Sequence, residues 1–168
     1  MRIMYVLLAV LVVGMASPAG ADVLPVGQKA VPCRACVENP DGWPGVVFAA
    51  ADYFGEELRQ VMPVEPGKCM GVVYKFDSLV LFAVPADSPD IDSLVVGGDP
   101  SLRKANMGLS AGQVLVDEND TLTGVDEIYR VLDVTETEVV LEHTRTVYHY
   151  SDRADEVVEP GAGSEKPE

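Results

Sequence analysis

Three cysteines are the most reactive side chains of this 168-residue sequence. Cys33 and Cys36 form a Cys-x-x-Cys pair in the stretch AVPCRACVENP, and Cys69 stands alone further along the chain. This set is compatible with thiol–disulfide exchange, with metal ligation or with a structural disulfide. The residues around the cysteines help to choose among these three chemistries.

A redox role for the Cys-x-x-Cys pair is disfavoured by the residues that follow it. A reactive pair usually has its first thiol at the start of a helix, where the helix dipole lowers the thiol pKa. Pro40 and Gly42 follow Cys36 too closely for a stable helix to begin there. Val37 also occupies the position at which a haem-attachment motif has histidine.

A zinc site would need a fourth ligand besides three thiolates. The chain has two histidines, His143 and His149. They are six residues apart in a predicted strand, which separates them by about 20 Å, so only one of them could join the site. A Cys₃His zinc site would use Cys33, Cys36, Cys69 and one of the two histidines, of which we take His143 as the candidate.

A structural disulfide is the interpretation that we favour for the cysteines, because the first residues of the chain indicate an oxidising compartment (below). A bridge from Cys69 to Cys36 or to Cys33 closes a loop of 33 to 36 residues. The chain-entropy model values such a loop at about 3 to 4 kcal/mol. We predict Cys36–Cys69, with Cys33–Cys69 as the alternative. The odd cysteine would be buried or would link two copies of the chain.

The stretch Gly108-Leu109-Ser110-Ala111-Gly112 matches Gly-x-Ser-x-Gly, the nucleophile turn of serine hydrolases. Aspartates and then histidines follow in the chain order that these enzymes use. The candidate triad is Ser110, Asp133 and His143, and Asp117, Asp120 or Asp126 and His149 satisfy the same order. The next residues, QVLVDENDTLTG, are too turn-rich for the helix that follows such a serine. We therefore favour a plain glycine-flanked turn and keep the hydrolase as an alternative.

The turn Asp117-Glu118-Asn119-Asp120 offers oxygen ligands of the kind that calcium prefers. It lacks the ligand spacing of an EF-hand. We expect a solvated turn, with weak calcium binding as the alternative. No stretch of the chain predicts a cofactor site, and we expect no cofactor.

The body of the chain is predicted to consist mainly of strands. Residues 45–54 and 79–84 are apolar runs bounded by turn residues. Residues 125–134 and 138–150 are rich in Val, Thr, Ile and Tyr and flank the short link Thr135-Glu136-Thr137, which predicts a hairpin.

Helical structure is expected only in short pieces. Ser88 and Asp99 each precede a proline, a pattern typical of a helix start. Residues 49–62 could be a strand or a helix, although Gly55 weakens the helical interpretation. The predicted fold is a small, mainly antiparallel β-domain of sandwich type with one or two short helices.

The first 21 residues have the composition of a secretory signal peptide. Arg2 is followed by the apolar run 3–13 and then by small residues ending in Ala19-Gly20-Ala21. The apolar run is shorter than the roughly 20 residues that a spanning helix needs. We predict cleavage after Ala21 and export to the periplasm or beyond the cell, and we expect no membrane-spanning segment in the remaining residues.

The excess of acidic residues makes nucleic acid an unfavourable partner for this protein. The chain has 27 acidic and 12 basic residues and a net charge of −15, which disfavours nucleic acid because phosphate contacts need clustered Lys and Arg. Residues 151–168 contain no aromatic side chain and few apolar ones, so we predict a disordered acidic tail. The folded domain is then residues 22–150.

Several short stretches resemble a group of secreted bacterial proteins of unknown function. They are residues 21–23 with Pro25, a cysteine followed by Glu38-Asn39, and residues 66–69, 74–76, 82–84, 127–131 and 147–152. The resemblance implies a single β-rich exported domain and implies no activity.

The function predicted from the residues is that of a non-enzymatic exported domain, stabilised by one disulfide, that binds an unidentified protein or envelope partner. It depends on the signal peptide, the strand pattern, the cysteine count and the weak context of Ser110. A serine hydrolase and a thiol or metal site at the cysteines are the alternatives.

Overall fold

The computed structural model describes residues 24–72, 77–88, 90, 93, 95 and 102–161. The predicted signal peptide and the second predicted helix, at Asp99-Pro100, lie outside these residues. The strands are β1 Gln28–Val37, β2 Val46–Phe54, β3 Glu57–Pro63, β4 Cys69–Gly71, β5 Asp77–Pro85, β6 Arg103–Ala105, β7 Gly112–Asp117, β8 Leu122–Val134, β9 Glu138–Tyr150 and β10 Glu156–Val158.

All ten strands belong to one sheet with the order β3-β2-β5-β6-β9-β8-β1-β4. Strand β10 pairs with β9, and β7 pairs with β1 beside β4. Most neighbours are antiparallel, but β1 runs parallel to β8 and β6 runs parallel to β9. The sheet curves into a nearly closed sandwich, so the predicted fold class is confirmed, with these two parallel pairs as an addition.

The sheet encloses one large apolar core and a smaller one. The large core draws side chains from β1, β2, β4, β5, β6, β8 and β9, and its fully buried members include Leu79, Leu81, Val131 and Val139. The smaller core is made by Val31, Cys33, Leu122 and Val125, between β1 and the start of β8. Along β5, Leu79, Leu81 and Ala83 are buried in the large core, while Val80 and Phe82 on the other face are partly exposed.

Residues 49–62, the segment with two interpretations, form the β2–β3 hairpin and not a helix. Ala49, Ala50 and Ala51 are fully buried between β3 and β5. Gly55 lies in the turn with φ 62°, a backbone conformation that glycine adopts without steric cost. Tertiary burial of the alanines outweighs their intrinsic preference for a helix.

The predicted hairpin is present as β8 and β9, which are 13 residues long each. Thr135 closes the turn, since its amide donates to the Glu138 carbonyl (2.9 Å) and its hydroxyl accepts from the Glu138 amide (3.0 Å). The register shifts by one residue where Ile128 faces Arg145 and Tyr129 faces His143. Thr144 is the extra residue of this β-bulge.

The predicted disordered tail requires a correction for its first eleven residues, 151–161. Strand β10 within this segment pairs with β9, with Glu156 opposite Tyr148 and Val158 opposite Thr146. A segment of polar composition can be ordered in this way because an edge strand is held by backbone hydrogen bonds, which composition does not reveal. Residues 162–168 lie outside the described residues.

The first predicted helix is described only at Ser93 and Val95, which are helical. The Asp90 carboxylate accepts a hydrogen bond from the Ser93 amide (3.1 Å), as a capping residue does. In the ranges that the structure describes, no helix combines the length and the apolar character needed to cross a membrane.

Alanine substitution of a buried and of an exposed leucine tests the assignment of the core. Leu81 is 0% exposed and Leu132 is 51% exposed. Because truncation of a buried leucine removes packing interactions and leaves a cavity, L81A should lower the free energy of unfolding by about 2 to 5 kcal/mol. L132A, which removes the same atoms, should change the free energy by less than about 0.5 kcal/mol. Urea denaturation measures both values, and equal losses would contradict the assignment of Leu81 to the core.

Candidate functional site

A disulfide joins Cys36 of β1 to Cys69 of β4. The two residues are directly opposite each other in the antiparallel register of these strands. This pairing confirms the predicted bridge, and the alternative bridge from Cys33 to Cys69 is wrong. The disulfide ties the short strand β4, which has only three residues, to the edge of the sheet.

Cys33 lies on the opposite face of β1 from Cys36, because residues three apart in a strand point to opposite faces. It is a free thiol in the smaller core. Burial raises the pKa of the Cys33 thiol to about 11, with smaller contributions from the charges of Glu127 and Asp126. The Cys-x-x-Cys spacing therefore produces neither a thiol couple nor an exposed thiol for a bridge between two copies.

The Cys₃His set is not assembled either. Cys36 and Cys69 are bonded to each other, so they are not thiolate ligands, and Cys33 lies across the sheet from them. An oxygen of Asp126 lies within 4.8 Å of both bonded sulfur atoms. Since metal ligation needs deprotonated thiols, the disulfide leaves this group with one carboxylate as a ligand.

Asp126 of β8 is the centre of a cross-strand ionic network on the face of the sheet that carries the disulfide. Arg34 Nε and Nη2 donate to the two Asp126 carboxylate oxygens at 2.7 and 2.8 Å. His149 Nε2 lies 2.9 Å from Asp126 Oδ2. Burial opposes ionisation of Asp126, but the hydrogen bonds from Arg34 and His149 outweigh burial, so the pKa of Asp126 is lowered.

Glu38 is a second ionic centre on the same face. Arg145 Nη1 lies 2.6 Å from Glu38 Oε1, and Arg130 Nη2 lies 3.3 Å from Glu38 Oε2. The two networks connect β1, β8 and β9 by side chains at alternate strand positions. We call this surface the charged face; its residues are Arg34, Glu38, Asp126, Arg130, Arg145 and His149.

Glu127 forms a third polar cluster on the other face of the same strands. His143 Nε2 and Thr146 Oγ1 both lie 2.7 Å from Glu127 Oε2. The ring of Tyr129 packs against the His143 ring with centroids 5.2 Å apart. The cluster lies between the two cores, where Thr146 is buried and Glu127 and His143 are partly exposed.

The candidate hydrolase triad is not brought together by hydrogen bonds. Ser110 is exposed, and its amide donates to the Tyr129 hydroxyl at 2.8 Å. The Asp133 carboxylate accepts from the amide of Val134 (2.8 Å), while His143 contacts Glu127. Gly112 begins strand β7, so the helix required after a nucleophile turn is replaced by a strand.

The acidic turn 117–120 uses its oxygens within the protein. The Asp117 carboxylate accepts from the Asn119 amide (2.9 Å), and the Asp120 carboxylate accepts from the Leu122 amide (2.8 Å). Lys29 donates to the Asp120 carbonyl. These contacts are those of a capped turn.

An open depression of about 330 Å³ lies beside β9, at the bulge. Strand β6 covers β9 up to Val139, and β10 covers it from Thr146, so the depression falls between these two strands. Its lining residues are Arg130, Glu142, His143, Thr144, Glu159 and Pro160.

Comparison with family models, with characterised proteins and with solved structures finds no match for this chain. The assignment of a role therefore depends on the geometry described above.

Sequence reasoning identified the cysteine bridge but not the ionic networks. Arg34 and Asp126 are 92 residues apart in the chain, as are Glu38 and Arg130, and nothing local couples them. One sequence feature could have indicated the networks, because Arg34, Cys36 and Glu38 occupy every second position. In a strand this places them on one face.

Alkylation tests the state of the three cysteines. At pH 8 a thiol with a pKa of about 11 is about one part in a thousand thiolate, so folded protein should resist iodoacetamide. Unfolding without a reductant should expose one reactive thiol, at Cys33, and unfolding with a reductant should expose three. Mass spectrometry counts the adducts, and rapid labelling of the folded protein would contradict the burial of Cys33.

Proposed function

We propose that this protein is an exported, non-enzymatic β-domain that binds a protein or envelope partner. The observation that carries the proposal is the Cys36–Cys69 disulfide, which fixes β4 against β1 beside the charged face. Rigid side chains lose little entropy when a partner binds, so a braced surface favours recognition.

Export is supported by the disulfide together with the signal-peptide composition of residues 1–21. Disulfides persist in oxidising compartments such as the periplasm and the extracellular space. We accordingly propose a secreted or periplasmic location, with cleavage after Ala21, and a kinship with the exported proteins that the sequence resembles.

A binding role, rather than catalysis, is supported by the contacts of the acidic side chains and of Ser110. Asp126, Glu38 and Glu127 each contact basic or histidine side chains, and within the described ranges Ser110 is not hydrogen-bonded to a histidine. These contacts join strands to one another, which is a structural task.

The depression beside β9 is where we expect the partner to make contact. Glu142 and Glu159 line it together with Arg130, which lies opposite Glu142 but pairs with Glu38. The carboxylates of the charged face are already paired with cations. A partner that presents Lys or Arg side chains would complement Glu142 and Glu159, in line with the net charge of −15.

Charge reversal in the depression tests this proposal. Chemical cross-linking of the natively exported protein, in its own compartment, should give a discrete complex. The double variant E142K/E159K should reduce the yield of that complex at least about tenfold, since like charges facing each other across an interface cost several kcal/mol. Quantitative blotting of the cross-linked species measures the yield.

The matched control is E118K/E136K, which makes the same change of charge at two exposed turn positions. It should leave the yield of the complex unchanged. Equal losses in both double variants would assign the effect to overall charge, and absence of a discrete complex would contradict the binding role.

A fluorophosphonate probe tests the hydrolase alternative. Because no general base of the described chain lies within hydrogen-bond contact of Ser110, its hydroxyl should have no more than ordinary nucleophilicity. The folded protein should remain unlabelled, as S110A should, while a serine hydrolase in the same reaction is labelled. Labelling that is lost in S110A would overturn the non-enzymatic proposal.

A further inference from the structure

The C-terminal segment 151–161 lies over the edge of β9 with little of its surface buried. Val157, opposite Val147, is 55% exposed, and of the residues in the segment only Val158 is even partly buried. Its attachment is therefore due mainly to the short β10 pairing and to polar contacts. We call this segment the strap.

His149 links the strap to the body of the protein, and Ser151, at the start of the strap, donates to the Thr121 carbonyl from its amide (3.0 Å). His149 Nε2 lies 2.9 Å from Asp126 Oδ2, and His149 Nδ1 lies 2.8 Å from Asp155 Oδ2. Asp126 belongs to β8, whereas Asp155 belongs to the strap, directly before β10. The imidazole ring of His149 thus bridges two carboxylates, one on β8 and one on the strap.

This bridge requires a particular protonation state. A carboxylate accepts hydrogen bonds, and only the imidazolium ion has a proton on both ring nitrogens. When the ring is neutral, one nitrogen presents a lone pair to a carboxylate oxygen. The interaction on that side changes from a charge-assisted hydrogen bond to a repulsion.

Deprotonation of His149 breaks its hydrogen bond to Asp155 rather than the one to Asp126. Asp126 is buried and is held in place by two hydrogen bonds from Arg34, so its position and negative charge persist. Asp155 has half of its side chain exposed and can turn to water. The remaining proton of a neutral His149 therefore stays on the side of Asp126.

We propose that residues 151–161 form a pH-sensitive strap, which is docked on β9 while His149 is protonated and is released when His149 becomes neutral. The transition separates Asp155 from His149 and opens the β9 edge at Thr146, Val147 and Tyr148, which β10 covers.

The direction of the pH dependence follows from the charges around His149. The groups that face it are Asp126 from β8, Asp155 from the strap and, behind Asp126, Arg34 from β1. The hydrogen bond to Asp126 raises the pKa of His149, burial opposes the shift, and Asp155 adds to it. In the released state Asp126 alone still raises the pKa of His149, and docking is fully favoured below that pKa. It is lost as the pH rises through the higher pKa of the docked state.

The other contacts of the strap do not involve a histidine. The Arg153 guanidinium lies 3.8 Å from the centre of the Tyr150 ring, and Arg153 Nη2 lies 3.7 Å from Glu156 Oε2. Neither these contacts nor the β10 pairing depends on protonation of His149, so they favour the docked state at every pH. Release is therefore a shift in the docked population and not an all-or-none event.

Release of the strap also removes Glu159 and Pro160 from the wall of the depression. Binding of the partner would then weaken as the pH rises. This consequence rests on the proposed function, whereas the docking of the strap does not and can be measured in the protein alone.

Amide hydrogen exchange of the full-length exported protein tests the strap between pH 5.5 and 8.5, with rates corrected for intrinsic exchange. Protection of peptides covering 151–161 should fall about threefold to tenfold as the pH rises, because each pKa unit is a factor of ten in the docking equilibrium. Protection in β8, which lies between β9 and β1 and does not pair with the strap, should stay constant.

The two histidines of the chain provide the control. H149Q should show low protection of 151–161 with no pH dependence, and H143Q should keep the wild-type pH dependence because His143 contacts Glu127 and not the strap. D155N, at an exposed position, should lose the pH dependence while leaving the His149–Asp126 contact. Constant protection in the wild type, or a pH transition that persists in both H149Q and D155N, would overturn the proposal.

Discussion

The antiparallel pairing of β8 with β9 is the interaction on which the other features depend. Strand β1 is placed by its parallel pairing with β8, and β6 and β10 are both placed along the outer edge of β9. The charged face, the Glu127 cluster and the depression all use side chains from this hairpin. Successive residues of its long strands point to opposite sides of the sheet, so one hairpin contributes to the polar networks on one side and to the apolar cores on the other.

Ionic pairs between side chains add to the backbone pairing of β1, β8 and β9. Arg34, Arg130 and Arg145 are all directed at carboxylates of neighbouring strands. The guanidinium group suits this task because its donors match the two oxygens of a carboxylate. The three arginines of this face are thereby paired within the protein.

Local patterns in the sequence predict what short-range physics determines. The apolar run 79–84 and the Thr135–Thr137 link predict a strand and a hairpin because burial and turn geometry are local properties. Strand order is different, because the parallel pairs β1–β8 and β6–β9 are decided by packing of the whole sheet. The ordering of residues 151–161 could not be predicted from the sequence either. It depends on pairing with the edge of β9 and on the contact of Asp155 with His149, neither of which the composition of the segment reveals.

The placement of Cys33 and Cys36 on opposite faces of β1 has a consequence for the integrity of the disulfide. A free thiolate can exchange with a disulfide only by reaching one of its sulfur atoms. In the folded protein the backbone of β1 separates the Cys33 sulfur from the Cys36–Cys69 bond, and the thiol is almost wholly protonated. Scrambling of the bond thus requires unfolding, so a scrambled Cys33–Cys69 bridge would mark molecules in which the sheet around β1 had opened.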